Sequence, residues 1–133
     1  MTIQSRPTEL EQQVLAVLWQ RGPSTVRDVL ATLADGKQRA YTTVLTVLQG
    51  MEKKGLVRHK QQGLAHVFVP CQSREEVVQP LLKGWLKTIF GGQPTQVVQS
   101  LLDTGQVSPA ELETIRELIE QAQQRGIEGE DQP

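Results

Sequence analysis

The stretch AYTTVLTVLQGMEKKGLVRHKQQGLAHVFVP, residues 40–70, changes its period midway, and that change decides the fold. Up to Lys54 the apolar residues recur at helical spacing. Val44, Val47, Leu48 and Met51 fall within about one third of a helical wheel. Gly55 ends the run. Leu56-Val57 then starts a strand, Gln61-Gln62-Gly63 reads as a turn, and Ala65–Val69 returns until Pro70 stops it. A helix followed at once by a hairpin needs other apolar faces to close a core.

The residues upstream supply them. TELEQQVLAVLWQRG, residues 8–22, opens on Thr8 with Glu11 three positions later, the spacing of a capping box, and keeps Leu10, Val14, Val17 and Leu18 in helical register. Gly22-Pro23 ends this helix. Either Ser24 or Thr25 caps a second helix carrying Val26, Val29, Leu30 and Leu33, which stops near Asp35-Gly36. Three helices followed by a hairpin within about 70 residues is the order of a winged helix-turn-helix.

The outward face of the third helix is unusual for a solvated one. Thr42, Thr46, Gln49 and Lys53 cluster opposite the core stripe. Threonine is a weak helix former because of its β-branch, so a threonine stripe needs another reason to exist. Hydroxyls and a carboxamide donate and accept toward base edges, and a threonine methyl touches a thymine methyl. Lys53, Lys54, Arg58 and Lys60 follow at the helix end and on the hairpin, where phosphate contact is expected. The charge distribution agrees. The whole chain carries a net charge of -1, but residues 1–70 balance at +4 and residues 71–133 at -5, so only the front half suits a polyanion.

After Cys71 the composition shifts. Ser73 and Glu76 form a second capping-box pair, and a helix over about residues 75–90 carries Val77, Val78, Leu81, Leu82, Trp85, Leu86, Ile89 and Phe90, with Pro80 in its early turns. Gly91-Gly92 stops it. A short helix covers Thr95 to Leu102, and Ser108-Pro109-Ala110-Glu111 caps a last helix with Leu112, Ile115, Leu118, Ile119 and Ala122 that runs to about Arg125. Helices apolar over so much of their surface must be buried broadly, and a two-fold dimer is the commonest way to do so. Leu82, Trp85, Leu86, Ile89, Leu112, Ile115, Leu118 and Ile119 are the expected dimerisation residues. The expected organisation is a DNA-binding domain over residues 1–71, a helical dimerisation region over 72–125 and a disordered acidic tail over 126–133. The fold class is mainly α with a small β-hairpin.

These segments also resemble a family. TELEQQVLAVLW, AYTTVLTVLQGMEKKGLV, FGGQPTQVVQSLL and VSPAELETIRELI are similar, in order, to repressors of the penicillinase-repressor type, the BlaI/MecI/CopY group. The resemblance runs from about Thr8 to Glu120. It implies a homodimer that binds an inverted-repeat promoter element on double-stranded DNA and represses transcription. By position it carries DNA-facing roles onto Thr42, Thr43, Thr46 and Gln49, and backbone contacts onto Lys53, Lys54, Arg58 and Lys60. Gly50 departs from the pattern, since many members place a basic residue there. Inducing features do not carry over. The Asn-Phe cleavage bond of the penicillin-responsive branch aligns with Ser100-Leu101, and the cysteine-rich metal motif of the copper-responsive branch is absent. A sensor protease or another inducer would complete such a circuit.

Other classes find less support. Aromatic residues make up only 4% of the chain, so any core is built from Val, Leu and Ile. One cysteine excludes an intrachain disulfide, and no basic-apolar leader or apolar run of about 18 residues appears, which fits a cytoplasmic protein without a membrane partner. Cys71, His59 and His66 lack the spacing of a metal site, so no metal and no cofactor are expected. His59 beside Lys60 reads as a phosphate neighbour, and His66 as an exposed strand residue. No phosphate-binding glycine loop or nucleophile motif marks an enzyme. Two alternatives keep the same fold. One is a winged-helix protein-interaction module, which needs an apolar recognition face where only Leu45 leans outward. The other is a redox- or metal-responsive regulator working through Cys71.

Overall fold

The computed structural model describes residues 6–33 and 37–130, with side chains up to residue 126. The chain forms α1 (Glu9–Arg21), α2 (Val26–Thr32), α3 (Tyr41–Lys53), β1 (Val57–Gln62), β2 (Ala65–Pro70), α4 (Arg74–Thr88), α5 (Pro94–Asp103) and α6 (Pro109–Glu130). It divides into two compact units, Met1–Leu82 and Lys83–Pro133.

In the first unit the helix ends are fixed by local chemistry. The Thr8 hydroxyl accepts the Glu11 N–H at 3.2 Å, and Glu11 Oε1 accepts the Thr8 N–H at 2.9 Å. Gly22, at φ 91°, closes α1 by donating its N–H to the Leu18 carbonyl. Thr25, not Ser24, caps α2. Its hydroxyl accepts the Asp28 N–H at 3.1 Å, and the Asp28 carboxylate accepts the Thr25 N–H at 3.0 Å. Such caps contribute about 1 kcal/mol each. Ser24 is buried and bridges to the hairpin instead, exchanging backbone hydrogen bonds of 3.1 and 2.8 Å with Phe68. The second helix is shorter than its pattern suggests. It ends at Thr32, because Leu33 leaves the helix at ψ 127° with its side chain still packed against the core. Asp35-Gly36, the expected stop, lies outside the described residues.

The hairpin pairs Val57 with Pro70 through Gln62 with Ala65, antiparallel. Its loop is the two residues Gly63-Leu64, one step later than the expected turn. Gly63 lies at φ 65° and Leu64 has no positive φ, as a type II′ turn requires. The core is aliphatic, as the composition demands. Val14, Leu15, Val17 and Leu18 of α1 meet Val26 and Val29 of α2, Val44, Leu48 and Met51 of α3, and Val57 and Phe68 of the hairpin. Within this core α3 is clamped along one face only, through Val44, Leu48 and Met51.

The composition shift puts a boundary after Cys71, whereas the compact units part after Leu82. The start of α4 is held to α1, where Trp19 Nε1 donates to the Gln72 carbonyl at 2.9 Å. Pro80 sits inside α4 and does not mark its start. In the second unit, Gly92 donates to the Leu86 carbonyl at 2.7 Å beyond the end of α4, and Ser108 Oγ accepts the Glu111 N–H at 3.1 Å at the head of α6. The backbone of α6 stays helical to Glu130, past the expected start of a disordered tail at Gly126. A helix already nucleated gains one hydrogen bond per added residue, which offsets the cost of about 1 kcal/mol at each glycine. Residues 131–133 of that tail lie outside the described residues.

Candidate nucleic-acid interface

The core-facing residues of α3 leave its other face open. Val44, Leu48 and Met51 are fully buried, and Thr42, Thr43, Thr46, Gln49 and Lys53 are exposed. Leu45 is half-buried and packs against the core, so the helix does not present an apolar strip. The open face therefore carries three threonines and a carboxamide, ending in a lysine.

The four expected backbone-binding cations divide into two kinds. Lys53, Arg58 and Lys60 are exposed and form no ion pair among the described residues. Lys54 is engaged within the protein. Its ammonium lies 3.1 and 2.9 Å from the two carboxylate oxygens of Glu11, the same side chain that caps α1. Burial pushes the Glu11 carboxyl up, but the Thr8 amide, Lys54 and the Thr8 hydroxyl outweigh it and hold the group below its ordinary value. Lys54 thus fastens the end of α3 to the start of α1. Arg58 and Lys60 pair with Val69 and Val67. Strand alternation places them on the hairpin face opposite His59, His66 and Phe68.

That second face looks toward α3. His59 Nδ1, expected beside phosphate, lies 2.8 Å from both carboxylate oxygens of Glu52 in the protein itself. The His59 and His66 rings stack at 4.6 Å with 21° between their planes. A groove of about 490 Å³ runs beside them, lined by Thr25, Arg27, Tyr41, Leu45, Gln49 and His66 among others. The Arg27 guanidinium lies 5.3 Å over the Tyr41 ring. The sequence pattern did not single out Arg27, Tyr41 or His66 for this surface. Strand alternation from buried Phe68 is the one signal that would have turned His66 toward α3. Cys71 is exposed, and no group of three or more His, Cys, Asp or Glu side chains among the described residues is placed to hold a metal ion. No helix among them is long and apolar enough to cross a membrane.

Most of the expected dimerisation residues are exposed. Leu82, in the first unit, is exposed, as are Trp85, Ile89, Leu112, Leu118 and Ile119 in the second, where Leu86 and Ile115 are half-buried. Ile89 keeps 69% of its surface open and Leu118 56%. No residue over 83–126 is buried.

Comparison with known proteins bears on both units. The family model for the penicillinase repressor matches residues 7–121. The chain is 42% identical over 79 residues to the transcriptional regulator BlaI of Mycobacterium tuberculosis, an alignment covering 59% of this chain and 57% of that protein. The match thus spans little more than half of that relative's length. The penicillinase repressor of Bacillus licheniformis is 21% identical over 118 residues, covering 89% of this chain and 92% of the relative. The solution structure of Bacillus licheniformis BlaI, in its monomeric form in complex with the blaP half-operator, aligns with a TM-score of 0.47 at 22% identity, over 57% of this chain and 93% of that one. With a family match running through the helix–hairpin unit and on into the helices behind it, the chain belongs to the penicillinase repressor family, and the relatives it matches are transcriptional regulators and not enzymes.

Proposed function

We propose that this chain is a sequence-specific DNA-binding repressor that acts as a homodimer on an inverted-repeat promoter element. The observation that carries the reading is the open face of α3. Thr42, Thr43, Thr46 and Gln49 stand exposed and uncharged on a helix whose opposite side is buried through Val44, Leu48 and Met51, with Lys53 at its end and the unpaired cations Arg58 and Lys60 on the hairpin. Such a face offers hydrogen bonds to base edges in the major groove while the cations meet phosphate. Residues 1–71 would read the DNA, and the helices after them would join two copies. Two-fold symmetry then sets two recognition helices about 34–36 Å apart, or a multiple, along one side of the duplex. Repression follows from occupying promoter DNA and excluding polymerase. The chain's family and the names of its relatives support this reading.

Selection of genomic fragments with the purified protein at two salt concentrations tests it. An inverted repeat that emerges and persists at the higher salt is the expected result. Retention that is blind to sequence and collapses with salt would overturn it, because phosphate contact alone gives that behaviour.

A further inference from the structure

A duplex that offers its major groove to α3 and an adjacent groove to the hairpin must place one phosphodiester strand between the two elements. The protein has a concavity formed by α2, α3 and β2. Val26, Leu45 and Phe68 line it together with the polar Thr25, Arg27, Tyr41, Gln49 and His66, and Leu64 and Ala65 of the hairpin complete it. No carboxylate is among the lining residues. Arg27 is exposed and has no ion pair among the described residues, its one close partner being the face of Tyr41. We infer that this groove seats a phosphodiester strand and that Arg27 and His66 grip it from opposite sides, one from α2 and one from β2. This rests on the reading of the chain as a DNA-binding protein and adds to it a contact that Arg58 and Lys60 do not supply, since they lie on the other face of the hairpin.

Arg27 brings the charge to this seat, and His66 offers a ring N–H that donates to a phosphate oxygen. The groups around His66 are His59 of β1, stacked on it at 4.6 Å, Glu52 of α3, which engages His59, and Arg27 and Tyr41 across the groove.

The test uses the full chain and a fluorescein-labelled duplex of mixed sequence, since a phosphate contact is indifferent to sequence. Affinity is measured against salt at neutral pH for the wild type, Arg27→Gln and His66→Ala. Arg27→Gln should lower the salt slope by about one per protomer, and His66→Ala should weaken binding roughly three- to tenfold with the slope unchanged. If Arg27→Gln keeps the wild-type slope and affinity, the groove does not hold phosphate and the inference falls while the repressor reading stands. If the wild type binds neither this duplex nor any fragment in the genomic selection, the repressor reading falls and takes this inference with it.

Discussion

Lys53 and Lys54 are neighbours with one chemistry and two environments. Lys53 is exposed and unpaired, so Lys53→Ala should weaken binding to every DNA sequence, lower the salt slope by about one and leave thermal unfolding within about 0.5 kcal/mol of wild type. Lys54 neutralises a carboxylate that keeps only 8% of its side-chain surface open. Lys54→Ala should therefore cost about 1–2 kcal/mol in a denaturant melt, a loss visible with no DNA present. The same carboxylate sets a pH dependence. Glu11 is held below its ordinary value of 4.5 in the folded state, so its contribution is complete above that value and is lost as pH falls through the lower, folded one. Melts taken from pH 7 to pH 3 (about the range in which the carboxylate fills) should show the wild type losing more stability than Glu11→Gln. On the DNA side, Thr46→Ala should relax sequence preference without flattening the salt slope. An unchanged preference in the selected fragments would remove Thr46 from the recognition face.

At the scale of elements, the features legible in the sequence are those fixed by residues three or four positions apart. The Thr8–Glu11 and Ser73–Glu76 boxes, the Gly22 stop and the α3 core stripe form as their spacing suggests. The hairpin loop moved by one residue because its strands pair through Gln62 and Ala65, leaving Gly63 at φ 65° to make the reversal. Gly63→Ala should destabilise the hairpin by about 1–2 kcal/mol, read by urea unfolding, since an alanine meets a steric penalty at that φ although the space around it is open. What could not be read locally depends on partners far along the chain. Lys54 meets Glu11 across 43 positions, Ser24 is drawn from a cap into a bridge with Phe68, and Trp19 reaches the Gln72 carbonyl across 53. The same holds for the interface: the threonine stripe was visible from periodicity, but the turn of His66 toward α3 follows only from pairing with a second strand.

For the whole molecule, the contrast between the units makes the strongest demand. The first unit buries a closed aliphatic core, whereas the second buries no residue over 83–126 and leaves Ile89, Leu101, Leu112, Leu118 and Ile119 largely open. Each large aliphatic side chain that becomes covered contributes about 1.5–3 kcal/mol, so covering even a few of them repays the loss of freedom on association. A second copy of the chain supplies a matching surface by symmetry. If that is the arrangement, thermal stability must depend on protein concentration, because only the folded dimer is favoured by mass action. Sedimentation of the wild type should give a dimer, and the double substitution Leu118→Asp with Ile119→Asp should give a monomer whose first unit still melts cooperatively. The monomer should also lose about 10²- to 10⁴-fold in affinity for an inverted repeat while binding a single half-site as the wild-type protomer does, since two linked contacts become one. A wild type that sediments as a monomer, with a melting temperature independent of concentration, would mean that these side chains are covered by something other than a second copy.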